Sequence, residues 1–191
     1  MALTGRFLVL FETHRTHVEL LSEWHSIVLL EYYVENENHL SKWVPARPEG
    51  YHSEDSWRQR AREYVDEYRA GMSLRLLAFR PGAGDIVAIC EFTNIARGAF
   101  QACHLGYSVS QRYENTGLMT EILTAALDYV FEELGLHRVM ANYMPKNKRS
   151  ARVLEKLGFE QEGLAKAYLQ IAGKWQDHVL TAKINPSHQL Q

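Results

Sequence analysis

Residues 105–121 read Leu105-Gly106-Tyr107-Ser108-Val109-Ser110-Gln111-Arg112-Tyr113-Glu114-Asn115-Thr116-Gly117-Leu118-Met119-Thr120-Glu121. The stretch opens apolar, turns polar, then resumes an apolar pattern in which Leu118, Ile122, Ala126, Val130 and Leu134 recur every four residues. That order is strand, loop, helix. A strand-to-helix junction offers unpaired backbone N–H groups and the positive end of a helix dipole, which together bind anions. The loop lacks the Gly-Lys-Ser/Thr of a nucleotide P-loop. It also lacks the three spaced glycines of a dinucleotide fingerprint.

Working outward, Ala102–Val109 is the strand before the loop, and a helix runs from 117 to 134 with Gly135 ending it. His137–Met144 is a strand. A short helix follows over 148–157, with Asn147 as N-cap and Gly158 where the C-cap glycine belongs. Phe159–Ile171 and Trp175–Ile184 are strands joined by a tight turn at Ala172-Gly173-Lys174. Upstream, Leu74–Phe79 and Asp85–Ile95 flank the turn Arg80-Pro81-Gly82-Ala83-Gly84, a hairpin signal. A helix is expected over 54–70, capped by Ser53, with Trp57, Ala61, Tyr64, Val65 and Tyr68 on one face. Another is expected over 18–38, where Leu21, Trp24, Val28 and Tyr32 stand near helical spacing. Phe7–Phe11 reads as the first strand. The fold class is therefore α+β: one domain over 1–191, with a mostly antiparallel sheet of about seven strands flanked by helices.

The chain has 191 residues, enough for one domain with a substantial core. Its net charge of −2 argues against nucleic-acid binding, which wants a basic face. Only Cys90 and Cys103 are present, each in an apolar run, and the histidines show no ligand spacing. We expect neither disulfide nor metal. Phe7–Phe11 is the longest early apolar run, too short for a signal-peptide core or a membrane span, so a cytoplasmic protein is expected. Charge is uneven: residues 1–72 are net acidic. Residues 145–156 hold Lys146, Lys148, Arg149, Arg152 and Lys156 against Glu155 alone. A basic knot in an acidic protein suits a multiply phosphorylated ligand.

Arg112-Tyr113-Glu114-Asn115-Thr116-Gly117 resembles the coenzyme A loop of the GNAT acetyltransferases, Arg/Gln-x-x-Gly-x-Gly/Ala at a helix start. Asn115 replaces the first glycine, and Asn is the residue besides Gly that best tolerates a left-handed backbone. Residues 140–159, with Pro145-Lys146-Asn147 before the short helix and Leu157-Gly158-Phe159 closing it, are similar to the family's second coenzyme segment. The resemblance is specific over 85–184, the implied acetyl-CoA-binding core, and vague over 1–72, where acceptor recognition usually lies. Three further stretches are similar to the RimJ/RimL-type branch, which acetylates N-terminal residues of ribosomal proteins. These are Phe92-Thr93-Asn94 with Arg97-Gly98 and Ala102–Tyr107, then His137–Pro145, and then Gly173-Lys174-Trp175-Gln176-Asp177-His178-Val179.

The resemblance implies that acetyl-CoA binds along Leu105, Gly106, Tyr107, Ser108 and Val109. It continues through Arg112, Tyr113, Glu114, Asn115, Thr116, Gly117, Leu118 and Met119, and takes in Asn142, Asn147, Ser150 and Arg152. It implies transfer of the acetyl group to a protein N-terminus, a ribosomal protein beginning with alanine, by direct attack in a ternary complex. A small-molecule amine acceptor, or a non-catalytic acyl-CoA-binding module associated with ribosomes, are the competing readings.

Acetyl transfer to an amine needs a neutral amine, a stabilised oxyanion and a thiolate that can leave. Glu91, a lone carboxylate in the apolar run Val87–Phe92, is the candidate base; a solvated edge-strand Glu is the plain alternative. His104 is the second candidate, or a core histidine. The resemblance implies oxyanion stabilisation by a backbone N–H near Tyr107. It also shows the family's usual tyrosine acid missing, because Leu154 holds that position, and Ser150 as the substitute donor. Tyr143 and Tyr168 are weaker options. Of the early aromatics Trp24, Tyr32, Tyr33, Trp43, Tyr51 and Trp57, most are expected in the core and one or two in an acceptor cleft.

Overall fold

Leu74-Arg75-Leu76-Leu77-Ala78-Phe79 is buried at every position, as a central strand must be. It is the third strand of the fold, in a computed structural model that describes residues 8–188. The strands are β1 (Val9–Glu12), β2 (His17–Leu20), β3 (Leu74–Phe79), β4 (Ile86–Ala96), β5 (Ala102–Val109), β6 (Arg138–Tyr143), β7 (Glu160–Ile171) and β8 (Lys174–Ile184). They form one sheet in the order β1-β2-β3-β4-β5-β6-β8-β7. The β5–β6 pair is parallel and all others are antiparallel.

Helices cover both faces. Helices α1 (Ser26–Glu35), α2 (Glu37–Leu40) and α3 (Glu54–Arg69) lie on one side. There Leu29, Tyr32, Trp57 and Ala61 bury against Leu77, Phe79 and Ile89. On the other side lie α4 (Leu118–Glu132) and α5 (Lys148–Lys156). Leu118, Ile122, Ala126 and Val130 of α4, the residues of the four-residue repeat, pack on Leu76, Cys90, Phe92 and Cys103. Alternation along each strand sends one set of side chains to each core. Ser53 caps α3 by accepting from the Ser56 N–H. Asn147 caps α5 likewise, through the Ser150 N–H. At the far end of α5, Phe159 N–H donates to Leu154 O and Gly158 N–H to Glu155 O, with Gly158 at φ +78°. That is a Schellman closure, and its Leu154–Phe159 pair is buried.

Two expectations are corrected. The helix expected over 18–38 begins only at Ser26, because residues 17–20 form β2, a strand beyond the seven expected. Val18 and Glu19 are both buried, wedged between β1 and β3. The apolar spacing of Leu21 and Trp24 is therefore not a helical face: Leu21 is in the core, while Trp24 is 79% exposed on a 3-10 turn. The first strand starts at Val9, and Phe7 lies outside the described residues.

Candidate active site

Strands β5 and β6 pair only over Ala102–Arg138, Cys103–Val139 and His104–Met140, and then part. Beyond the parting, residues 105–109 of β5, Asn142 and Tyr143 of β6 and Met144 just after it line one cavity of about 880 Å³. It is bordered on the α4/α5 side by Gly117–Thr120 and by Arg149, Arg152 and Lys156. On the α1–α3 side its walls are Tyr33, Trp57, Tyr64, Glu91 and the loop 43–52. The cavity therefore crosses the sheet at its split. A strand edge facing a gap keeps backbone N–H and C=O groups free for a ligand.

The polar loop ends in two left-handed residues, Asn115 at φ +58° and Gly117 at φ +77°. Asn115 takes the conformation the family's glycine would supply. Gly117 caps α4, and a Cβ on it would meet only the Arg15 guanidinium, at 4.0 Å. The first turn of α4 thus borders the cavity, with the Leu118 N–H held by the Thr116 hydroxyl at 3.4 Å and no side chain on Gly117 in the way. Arg15 clasps this turn from the β1–β2 loop: its backbone N–H and Nε donate to the two oxygens of Glu121 at 2.9 and 2.7 Å, and Nη1 to Thr116 O at 3.1 Å. Nothing in the sequence marked Arg15, since its partner lies a hundred residues away.

Of the expected coenzyme residues, all but Arg112 and Thr116 line the cavity. The Arg112 side chain turns outward to Glu35 at 2.9 Å and Asp85 at 3.4 Å, and the Thr116 hydroxyl donates to Tyr113 O at 2.7 Å. Neither side chain is placed to hold a ligand in the cavity. Within the basic knot the structure also sorts the side chains: Arg149, Arg152 and Lys156 face the cavity, Lys146 and Lys148 do not. Arg149 is ion-paired with Glu114 of the polar loop, and His39 Nε2 approaches the same carboxylate at 3.3 Å. This pair links α5 to the loop beside the cavity. Burial pushes the His39 imidazole down, against the pull of Glu114.

Ser150 and Tyr107 meet across the cavity wall, hydroxyl to hydroxyl at 2.8 Å. Burial pushes the Tyr107 phenol well above its ordinary range, against the Ser150 hydrogen bond, so it stays protonated. The phenol can donate to Ser150 Oγ, which leaves the serine proton free for a third group. The sequence pointed to Tyr107 for its backbone alone; the side chain was missed. Asn142 and Asn147 both line the cavity, Asn142 donating to the Tyr168 hydroxyl at 3.3 Å. Tyr143 lines it too, whereas Tyr168 does not.

On the acceptor side, Glu91 stands on a central strand rather than an edge strand and lines the cavity, with Arg75 Nε donating to Oε1 at 3.2 Å. His104 lies off the cavity, its Nδ1 buried without a hydrogen-bond partner among the described residues, and burial pushes its imidazole down. Tyr33, Trp43, Tyr51 and Trp57 border the cavity, more of the early aromatics than expected, while Tyr32 is core and donates to or accepts from Ser108 at 2.8 Å. The buried His178, which the sequence marked only as part of the stretch 173–179 and gave no role, is another wall residue. Burial pushes both thiols up, Cys103 to about 12, so neither is a nucleophile. Among the described residues no group of three or more His, Cys, Asp or Glu is placed to hold a metal, and no helix is long and apolar enough to cross a membrane.

The split sheet thus has a left-handed loop and a helix N-terminus, fit for an anion, on one side and a carboxylate, fit to take a proton, on the other. Residues 18–160 match the family model described as an acetyltransferase (GNAT) domain, and the chain belongs to that family. It is an acetyl-CoA-dependent N-acetyltransferase. It is 42% identical over 174 residues to the ribosomal protein uS5-alanine N-acetyltransferase of Escherichia coli, covering 91% of this chain and 90% of that relative. Among solved structures, the ribosomal-protein-S5-alanine acetyltransferase of Vibrio fischeri superposes with a TM-score of 0.88 at 35% identity, over 92% of this chain and 96% of that one. The RimJ of Mycobacterium smegmatis in complex with CoA-disulfide gives a TM-score of 0.84 at 27% identity, over 92% and 84%.

Proposed function

We propose that this enzyme acetylates the N-terminal α-amine of a protein, a ribosomal protein beginning with alanine, by direct attack within a ternary complex. The observation that carries the reading is the cavity crossing the sheet, with Arg149, Arg152 and Lys156 of α5 on one side and the carboxylate of Glu91 on the other. The relatives named for uS5-alanine acetylation support the acceptor. The fit to acetyl-CoA rests on the N-terminus of α4 above Gly117 and on the free strand edges at the split. When bound there, acetyl-CoA supplies a thioester carbonyl open to attack by an amine. Loop 112–117 would hold the pyrophosphate through backbone N–H groups, and Arg149, Arg152 and Lys156 would face the 3′-phosphate. Asn142 and Asn147 would order the pantetheine arm. A backbone N–H near Tyr107 would meet the negative charge that develops on oxygen. Ser150, with Tyr107 behind it, would hold the proton for the departing thiolate, and Glu91 would take the proton of the amine.

Such a site suits an α-amine. With a pKa of ~7.7–8.0, against ~10.4 for lysine, roughly a quarter of it is neutral at pH ~7.3, but only about one lysine in a thousand. The test is incubation with acetyl-CoA and ribosomal proteins, followed by mass spectrometry of the N-terminal peptides. Acetyl groups are expected on the α-amine of a protein beginning with alanine. Acetylation of free amines such as spermidine in preference to every protein would overturn the acceptor assignment.

A further inference from the structure

Strands β3 and β4 each carry one charged residue, and the two are cross-strand partners: Arg75 stands opposite Glu91. Glu91 in turn stands opposite Gly106 of β5. The three form a row across the sheet on the α3 face, with a cation, a carboxylate and a position without a side chain. Arg75 is nearly buried, its side chain 10% exposed. Its Nη1 donates to Glu67 Oε2 at 2.6 Å and to Ser73 Oγ at 2.7 Å, and Ser73 Oγ donates to the same Glu67 oxygen at 2.9 Å. The Tyr64 ring packs on the guanidinium at 3.6 Å.

These contacts fix the guanidinium without help from Glu91. A cation needed only to pair β3 with α3 would be complete with Glu67 and Ser73. Instead Nε reaches on to Glu91 Oε1, at 3.2 Å. The second oxygen, Oε2, is turned toward Gly106, where a Cβ would lie 4.0 Å from it. Both residues line the cavity, and one residue before Gly106 on β5 the pairing with β6 has already ended. The missing side chain leaves room next to a carboxylate oxygen at the place where the sheet opens. A flexible glutamate would otherwise sample several rotamers there.

We propose that Arg75 is a positioning residue for the acceptor amine: it holds Glu91 by one oxygen so that the other faces the amine beside Gly106. The inference rests on the reading of Glu91 as the base. In the step it serves, the amine nitrogen forms the amide bond as the carbon–sulfur bond breaks. The amine proton passes to Glu91 Oε2 and from there to solvent, the thiolate takes a proton from Ser150, which solvent in the cavity restores, and Arg75 keeps its protons throughout.

A double-mutant cycle tests it, with the full chain, acetyl-CoA and a peptide beginning with alanine. Glu91→Gln alone measures what the base contributes. Arg75→Met should lower kcat about fivefold, with the KM for acetyl-CoA unchanged, and should add nothing once Glu91 is Gln. If Arg75→Met unfolds the protein, Arg75→Lys replaces it; a single ammonium cannot serve Glu67 and Glu91 together, so the same pattern is expected with a smaller loss. A loss of equal factor in both backgrounds shows a merely structural arginine and overturns the proposal. So does no loss in either. An inert Glu91→Gln overturns the base reading separately. A readout without turnover is the NMR resonance of the Arg75 Nε–H in the free enzyme. It should shift in Glu91→Gln, and an unmoved resonance overturns the pairing.

Discussion

Ser150 lines the cavity with its hydroxyl 2.8 Å from the Tyr107 phenol, which burial keeps protonated. A leaving-group acid acts mainly in the transition state, so Ser150→Ala should lower kcat more than it raises the acetyl-CoA KM. Tyr107→Phe should share part of that loss. Steady-state kinetics separates the cases: a pure KM effect would reassign Ser150 to binding. Arg149 is engaged with Glu114, so the coenzyme's phosphate would have to take it from a carboxylate. Reversing its charge should weaken coenzyme A more than dephospho-coenzyme A, while Glu114→Gln should tighten coenzyme A. Calorimetry with both ligands decides, and equal weakening would leave Arg149 a loop tether. At this scale the sequence showed residue types but not partners. Glu91 stood out because a charge in an apolar run is costly unless used. Arg75, equally alone in Leu74–Phe79, carried the same signal, and the hairpin register that pairs the two could have found it.

Strand β5, the polar loop and α4 act as one element, because Gly117 and Asn115 both need left-handed backbone where the chain turns to start the helix. Gly117→Val would place a branched side chain at φ +77° and at the mouth of the cradle. Acetyl-CoA affinity should fall at least tenfold, about 1.4 kcal/mol, by calorimetry on a variant whose circular dichroism is unchanged. Unchanged affinity would remove the loop from the coenzyme site. Elements were the most legible part of the sequence. The strand Ala102–Val109, the caps Ser53 and Asn147 and the closing Gly158 are local signals, and the structure has each in place. Residues 17–20 were not legible as β2. Four residues give too short a pattern to show alternation, and what makes them a strand is their place between β1 and β3.

The whole molecule combines a sheet that splits at His104–Met140 with helices whose first turns and side chains face that split. Its acid stability follows from two carboxylates bound to arginines across the fold. Burial alone would raise Glu67 and Glu121; hydrogen bonds from Arg75 and Ser73 to the first, and from Thr13 and Arg15 to the second, outweigh it and hold both below the usual carboxylate value of 4.5. A depressed carboxylate stabilises the fold above its unfolded value and loses that contribution as pH falls through its folded value. Thermal midpoints should therefore hold near neutral pH and drop below about pH 4.5. Glu121→Gln should flatten that drop, and an unchanged slope would remove Glu121 from the account. The loop 43–52, which walls the acceptor side, could not be placed from sequence. Its two prolines, Pro45 and Pro48, break the preceding helix and say no more than that.

The central claim is that the acceptor is an α-amine already partly neutral near pH ~7.5, met by a single carboxylate rather than a strong base. The most direct measurement compares two peptides with acetyl-CoA across pH. One begins with a free alanine; the other has a blocked N-terminus and an internal lysine. The alanine peptide should be acetylated, with a rate that rises as its own amine deprotonates, and that rise should move to higher pH when the amine is made more basic. The lysine peptide should stay unmodified. Efficient acetylation of that lysine would contradict the account.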